Sequence, residues 1–305
     1  MATIEVSSHL LDWGQITLPV WILVVLVSLS SHALLLHSLC IAAEPLHDVT
    51  ESEQPVMPQR GICAHRGASV THPENTLAAL REAVRLGAHM VEFDLALTKD
   101  SQVVLMHDKT VERTTDGHGR VADLTLAELR KLDAGSWKSP RFQNEKIPTL
   151  AEALDVLPLN IWINIHLKGE AKLAAETARH VDDAKRLHQA VLACGSAAAK
   201  AAREVEPNIK ICNMDRQLNN REYVNATIDQ SAEFIQFLSL RSPDADQIKR
   251  LKQQKIRVNY CCTDDAEALQ QLFSIGVDFI LVDDLATMLQ AAERQGIDRL
   301  KPVFR

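Results

Sequence analysis

From Gly61 onward, short apolar runs of β character alternate with amphipathic helical stretches, and no other feature constrains the fold of this chain as tightly. Strands are expected over residues 62–65, 90–96, 103–107, 161–168, 190–193, 209–212, 234–238, 256–261 and 279–283. Helices are expected over 76–86, 125–132, 149–157, 171–180, 245–253 and 266–275. This alternation predicts parallel strands with helices outside them, and a closed (β/α)8 barrel needs eight strands where nine runs are present. The runs at 90–96 and 103–107 are joined by Thr98-Lys99-Asp100-Ser101, which is too short for a parallel crossover. They read as one barrel strand with an antiparallel extension, which restores eight. The predicted fold is therefore a TIM barrel, and a doubly wound open sheet is the rival that periodicity leaves standing. Residues 108–149, with one helix and much Gly, Ser and Pro, read as a small insertion after the second strand, capping one barrel end.

Ahead of this body lies a segment of different character. No charged side chain occurs between Asp12 and Glu44, and residues 18–43 are apolar apart from hydroxyls and His32 and His37. About 20 apolar residues are enough to cross a bilayer as a helix. Two readings compete for residues 1–43: a cleaved signal peptide ending near Ala42-Ala43, or a retained membrane anchor. Both predict a barrel exported from, or anchored outside, the cytoplasm. Neither finds the flanking positive charge it would use, because the first basic residue is Arg60. Residues 44–59, with Pro45, Pro55 and Pro58, read as a linker to a barrel over 60–305.

Charge and cysteine usage narrow the partners. Residues 1–59 contain six of the 40 acids and no Lys or Arg, which leaves 34 acids against 33 bases in the body. A near-neutral body without a basic stripe is not built to follow a nucleic-acid backbone, so no nucleic-acid partner is expected. The six cysteines, Cys40, Cys63, Cys194, Cys212, Cys261 and Cys262, form no Cys-x-x-Cys pair. They read as small buried thiols rather than a disulfide framework. Oligomeric state is not legible.

The polar residues on two of the expected strands are more informative. Side chains at i and i+2 share a face of a strand. Glu92 and Asp94 therefore lie together with Ala96, and Asn164, His166 and Lys168 lie together on a second strand. Ionisable groups turned inward are costly unless paired or bound to an ion. A carboxylate pair at this spacing suits a hard divalent cation, while an ion pair with Lys168 or Arg66 would satisfy it equally well. His65 and Arg66 end the first strand and His107 ends the strand extension, at the barrel end where catalytic groups gather. Two histidines can serve as acid and base near neutral pH. Arg66 can grip a phosphate with two donors and Lys168 can supply a point charge. Together these groups describe metal-assisted attack on a phosphoryl centre.

In order along the chain, Ala64-His65-Arg66-Gly67, Pro73-Glu74-Asn75-Thr76, Val91-Glu92-Phe93-Asp94-Leu95, Thr98-Lys99-Asp100, Leu105-Met106-His107-Asp108, Arg113-Thr114-Thr115-Asp116-Gly117, Asp133-Ala134-Gly135-Ser136-Trp137 and Ile147-Pro148-Thr149-Leu150 resemble the glycerophosphodiester phosphodiesterase family. The resemblance runs from about Gly61 to Asp284 and is weak over 170–255. It implies a TIM barrel with a small insertion, and hydrolysis of small-molecule glycerophosphodiesters to sn-glycerol 3-phosphate and an alcohol with Mg²⁺ or Ca²⁺. It also implies His65 and His107 as the acid–base pair, Arg66 and Lys168 on phosphate, Glu92 and Asp94 as metal ligands, and Glu74 supporting Arg66 or the metal. Gly276-Val277-Asp278 followed by Asp283 matches the family's last strand.

Two departures bear on function. His166 stands where the family places a further acidic ligand, two residues before its Lys. A neutral imidazole favours softer metals, so His166 is a ligand with altered preference, or the cation is held more weakly, or activity is lost. Val258-Asn259-Tyr260 replaces the family's usual Trp and remodels the wall near the alcohol group. Two alternatives to the diesterase follow: a lysophospholipase D-like hydrolase, and a degenerate barrel that binds phosphodiesters without turnover.

Overall fold

The computed structural model describes residues 55–239 and 242–304. The signal or anchor segment at 1–43, its hydrophobic helix and all but the end of the linker lie outside the described residues. Among the described residues no helix is long and apolar enough to cross a membrane.

Nine strands form one sheet: β1 (Gly61–Ala64), β2 (Met90–Leu97), β3 (Val103–Leu105), β4 (Trp162–Leu167), β5 (Ala190–Cys194), β6 (Lys210–Asn213), β7 (Phe234–Leu238), β8 (Arg257–Cys261) and β9 (Phe279–Val282). All neighbours are parallel except β2 and β3, which run antiparallel with Leu95 opposite Leu105. Pairing of β1 with both β9 and β2 closes eight strands into a barrel, with β3 as the extension of β2. The open sheet is thereby excluded. β3 is shorter than expected. Met106 still donates its N–H to the Asp94 carbonyl at 2.9 Å, and the chain then leaves the ladder, so His107 sits on a loop.

The helices are α1 (Leu77–Leu86), α2 (Leu126–Leu129), α3 (Leu150–Val156), α4 (Ala171–Asp183), α5 (Ser196–Val205), α6 (Asn220–Asp229), α7 (Ala245–Gln253), α8 (Ala266–Ile275) and α9 (Leu285–Glu293). Side-chain caps set several starts. Thr76 accepts from the Ala79 N–H, and Thr125 and Thr149 form reciprocal capping boxes with Glu128 and Glu152. α2 is half the expected length. Beyond Arg130 the chain bends around the Asp133 carboxylate, which accepts N–H bonds from Gly135, Ser136 and Asn144 and so outcompetes further helical turns.

Strand alternation divides the core. Val91, Phe93, Leu95, Ile163, Ile165 and their equivalents pack outward against the helices. Cys63, Met90, Trp162, Val191, Cys212, Phe234, Phe279 and Leu281 fill the barrel. A third cluster, with Ala96, Val104 and Met106 from the strands and Val111, Val121, Leu129, Ala134 and Ile147 from the insertion, anchors the cap at the C-terminal end of β2.

Ile165 is fully buried between Asn164 and His166 in sequence, on the opposite face of β4. Ile165→Ala should cost about 2–5 kcal/mol in denaturant unfolding. A loss below about 1 kcal/mol would show that this face does not carry the helix packing.

Candidate active site

The site is assembled at the C-terminal ends of β1, β2, β4 and β9. Glu92 and Asp94 point into the barrel from β2 and are 2% and 0% exposed. Parallel pairing sets Asp94 opposite His166 on β4 and Glu92 opposite Asn164. Ligand atoms of Glu92, Asp94 and His166 all lie within 4.8 Å of one another. The register thus brings together the three residues proposed from sequence as ligands.

These carboxylates are surrounded by positive or donor groups. After β1 the chain turns through Arg66 at φ 56° and Gly67 at φ 78°. A Cβ on Gly67 would lie 2.7 Å from the Ala79 carbonyl carbon, so the loop can lie this close to α1 only with glycine there. The turn aims the Arg66 N–H at Glu92 Oε2, 3.0 Å away. Asn75, also at positive φ, brackets Asp94: its Nδ2 donates to Oδ2 and its Oδ1 accepts from the Asp94 N–H, both at 3.0 Å. Lys168 Nζ and His166 Nδ1 each lie 3.1 Å from Asp94 Oδ1. That oxygen nevertheless has no well-formed hydrogen bond, because neither approach is well aligned.

The electrostatics separate the two acids. Burial and the neighbouring Asp94 charge push the Glu92 carboxyl upward. Burial opposes ionisation of Asp94 too, but the His166 contact and the Lys168 charge outweigh it and hold that carboxyl well below the usual range. His166 is shifted downward, first by burial and further by Lys168, although Asp94 pulls the other way. A neutral His166 can accept from Lys168 Nζ on Nδ1, at 3.1 Å. The same Nδ1 lies 3.1 Å from Asp94 Oδ1 and 3.7 Å from Glu92 Oε1, so a cation seated between these groups would take that lone pair in place of the Lys168 proton. Three convergent electron-pair donors, one of them a buried oxygen without a hydrogen bond, fit a divalent cation. The imidazole among them suits a softer ion than three oxygens would.

The two candidate acid–base histidines are braced alike. His65 Nδ1–H donates to Asp283 Oδ1 at 2.8 Å, and His107 Nδ1–H to Asp108 Oδ1 at 2.6 Å. Each therefore keeps Nε2 for proton transfer. Burial disfavours the His65 imidazolium, but the Asp283 bond and the Glu92 charge prevail and raise its pKa. Arg113 links this brace to the rest of the site. It donates to Asp108 at 2.6 Å and to both Glu74 oxygens at 2.8 Å, while Glu74 Oε1 also accepts from Arg66 at 2.8 Å. Glu74 thus lies against the two arginines. Although burial works against it, their bonds keep its carboxyl ionised and lower its pKa.

Asn75, Asp108, Arg113 and Asp283 were present in the sequence motifs without an assigned role. Asp108 follows His107 directly, so its bracing was open to inference. Asp283 lies 218 residues from His65, and only barrel closure pairs them.

A cleft of about 660 Å³ opens beside this cluster, lined by His107, Lys109, Lys168, Glu170, Ser196 and Asp215 among others. An adjoining cavity of about 260 Å³ shares Lys109, Lys168, Gly169 and Glu170 with it, and its apolar wall is Ala96, Leu97, Val121, Ala122 and Leu173.

Asp283→Asn removes the charge that favours the His65 imidazolium. The His65 NMR titration should move to lower pH. An unmoved or rising midpoint would show that Asp283 does not control this proton.

This chain is similar to several known proteins. The chain is 47% identical over 108 residues to the glycerophosphodiester phosphodiesterase of Caldanaerobacter subterraneus subsp. tengcongensis, covering 35% of this chain and 44% of that protein. It is 50% identical over 121 residues to glycerophosphodiester phosphodiesterase 1 of Bos taurus, covering 39% and 37%. These matches span less than half the length of the relatives. A phosphodiesterase of Oleispira antarctica, solved with the product sn-glycerol-3-phosphate, superposes with a TM-score of 0.69 at 29% identity, covering 78% of this chain and 97% of that one. The description of the glycerophosphoryl diester phosphodiesterase family matches residues 65–287, and the chain belongs to that family.

Proposed function

We propose that this protein is a metal-dependent phosphodiesterase that hydrolyses glycerophosphodiesters to sn-glycerol 3-phosphate and an alcohol, with His65 and His107 as its acid–base pair. The observation that carries this reading is the matched bracing of two histidine Nδ1 atoms by carboxylates, with His65 Nε2 4.0 Å from Glu92 and His107 tied through Asp108, Arg113 and Glu74 to Arg66. Arg66 and Lys168 line the approach to that pair and supply the positive charge to hold the phosphodiester. Glu74 fixes the Arg66 guanidinium through its hydrogen bond and is itself fixed by Arg113. A water attacks phosphorus and gives its proton to one histidine, or a hydroxyl of the substrate's own glycerol does so and a water afterwards opens the resulting cyclic phosphate to sn-glycerol 3-phosphate. The bond from phosphorus to the alcohol oxygen breaks, and the other histidine protonates the departing alkoxide. Against burial, the Asp283 bond raises the His65 pKa, which suits this histidine to donating the proton.

Glu92, Asp94 and His166 would hold the divalent cation, Mg²⁺ or Ca²⁺ or a softer metal. Bound there, it would offset negative charge on the phosphoryl oxygens.

The apolar wall of the smaller cavity supports a second reading, a lysophospholipase D-like activity in which an acyl chain lies along Leu97, Val121 and Leu173. An assay of the purified chain against glycerophosphocholine, glycerophosphoethanolamine and lysophosphatidylcholine separates the two. Release of glycerol 3-phosphate should stop on exhaustive chelation and return with a divalent cation, and His107→Ala should lower turnover by on the order of 10²–10⁴. Preferred cleavage of the lysolipid would select the second reading. Binding of these diesters without turnover under any metal would select the degenerate barrel. Full activity under chelation would remove the cation from the reaction.

The long uncharged stretch within residues 1–43 supports a barrel that is exported or membrane-anchored outside the cytoplasm. Protease added to intact cells that produce a C-terminally tagged full chain should digest the barrel, unless the tag is already in the medium. Complete protection within the cells would contradict export.

A further inference from the structure

Cys261 and Cys262 depart from the expectation that the cysteines are isolated buried thiols. They are joined as a disulfide between adjacent residues, whereas Cys63, Cys194 and Cys212 are free and buried. Burial pushes these three thiols up, Cys194 to about 12, and sets them apart from thiolate chemistry. Cys261 ends β8 in the register of Leu281 and Cys63, which places it on the inward face at the catalytic end of the barrel. Both residues are half-buried, and their sulfurs lie within 4.8 Å of a ring nitrogen of His65 and of each other.

We propose that reduction of the Cys261–Cys262 disulfide creates a site for a thiophilic divalent cation such as Zn²⁺, formed by the two sulfurs and His65 and separate from the Glu92–Asp94–His166 cluster. A dithiol or phosphine reductant supplies two electrons, the sulfur–sulfur bond breaks and two thiols form. Cation binding then expels their two protons. Zinc takes sulfur at about 2.3 Å and imidazole nitrogen at about 2.0–2.1 Å, so its tetrahedral ligand atoms stand about 3.5–3.8 Å apart. The disulfide holds the two sulfurs at bonding distance, so only reduction lets them part to that spacing, with a ring nitrogen of His65 already within 4.8 Å of both. Asp283 already holds His65 Nδ1, and a carboxylate behind an imidazole is the arrangement that orients metal-bound histidines. Nε2 is then the nitrogen left to ligate. An ion held there occupies the lone pair that proton transfer needs, so filling this site silences the catalytic one.

The test is a Co²⁺ titration of the full chain before and after reduction by a phosphine, with excess Mg²⁺ present. A thiolate-to-cobalt charge-transfer band should appear only in the reduced protein, saturate at one equivalent, be displaced by Zn²⁺, and vanish in Cys261→Ser/Cys262→Ser. Zn²⁺ should also slow diester hydrolysis by the reduced chain on the order of 10²-fold more than by the oxidised chain, the scale of losing one acid–base group. That inhibition rests on the role proposed for His65; the cobalt spectrum does not. No band after reduction would overturn the proposal without recourse to a variant. So would a band of equal strength before reduction, or one that survives the double substitution.

Discussion

Two carboxylates buried side by side inside a barrel dictate the rest of this site. Glu92 and Asp94 are on the same face of β2, almost without solvent contact. Their mutual repulsion in a poorly polarisable interior has to be offset by nearby positive charge, by donors or by protonation. The surroundings supply all three kinds of compensation. Asn75 and the Arg66 N–H give neutral donors, Lys168 and the Arg66 guanidinium give charge, and Glu92 is displaced toward its protonated form. The compensation is incomplete at Asp94 Oδ1, where a bound cation would complete it. The groups that stabilise the pair in the protein's own interior are also those that, on the proposed function, would face an incoming phosphodiester.

The same constraint explains the loops. Arg66 and Asn75 both adopt positive φ, a conformation that costs energy in most residues but turns one N–H onto Glu92 and one amide onto Asp94. The cap adds a second level. Its cluster around Val121 and Leu129 fixes it to the end of β2, and Arg113 reaches from it to Glu74 and Asp108. Both Glu74 and Asp108 are kept ionised by that guanidinium, Asp108 down to about 2, so each can orient its partner, Arg66 or His107, as an anion. Barrel and insertion thus share one charge network.

Much of this was readable in the chain, for identifiable reasons. Period-two alternation puts Glu92 with Asp94 and His166 with Lys168 whatever the neighbours are, and the few residues between two apolar runs exclude a parallel crossover. What pairs with what was less accessible. That Asp94 stands opposite His166 depends on strand register, and that Asp283 reaches His65 depends on closing the last strand onto the first. Helix α2 ended early because Asp133 offered its N–H neighbours a side-chain acceptor, which propensity does not reveal. The cysteines misled for a similar reason. Cys261 and Cys262 sit where β8 leaves the barrel at its rim, and composition treats them as it treats Cys63 in the interior.

Anomalous diffraction from crystals soaked in Mn²⁺ addresses the carboxylate pair directly. The account predicts a single strong peak within about 2.6 Å of oxygens of both Glu92 and Asp94, with the His166 imidazole turned to the same ion. Manganese bound elsewhere with this cluster empty, or no ordered ion at saturating concentration, would contradict it.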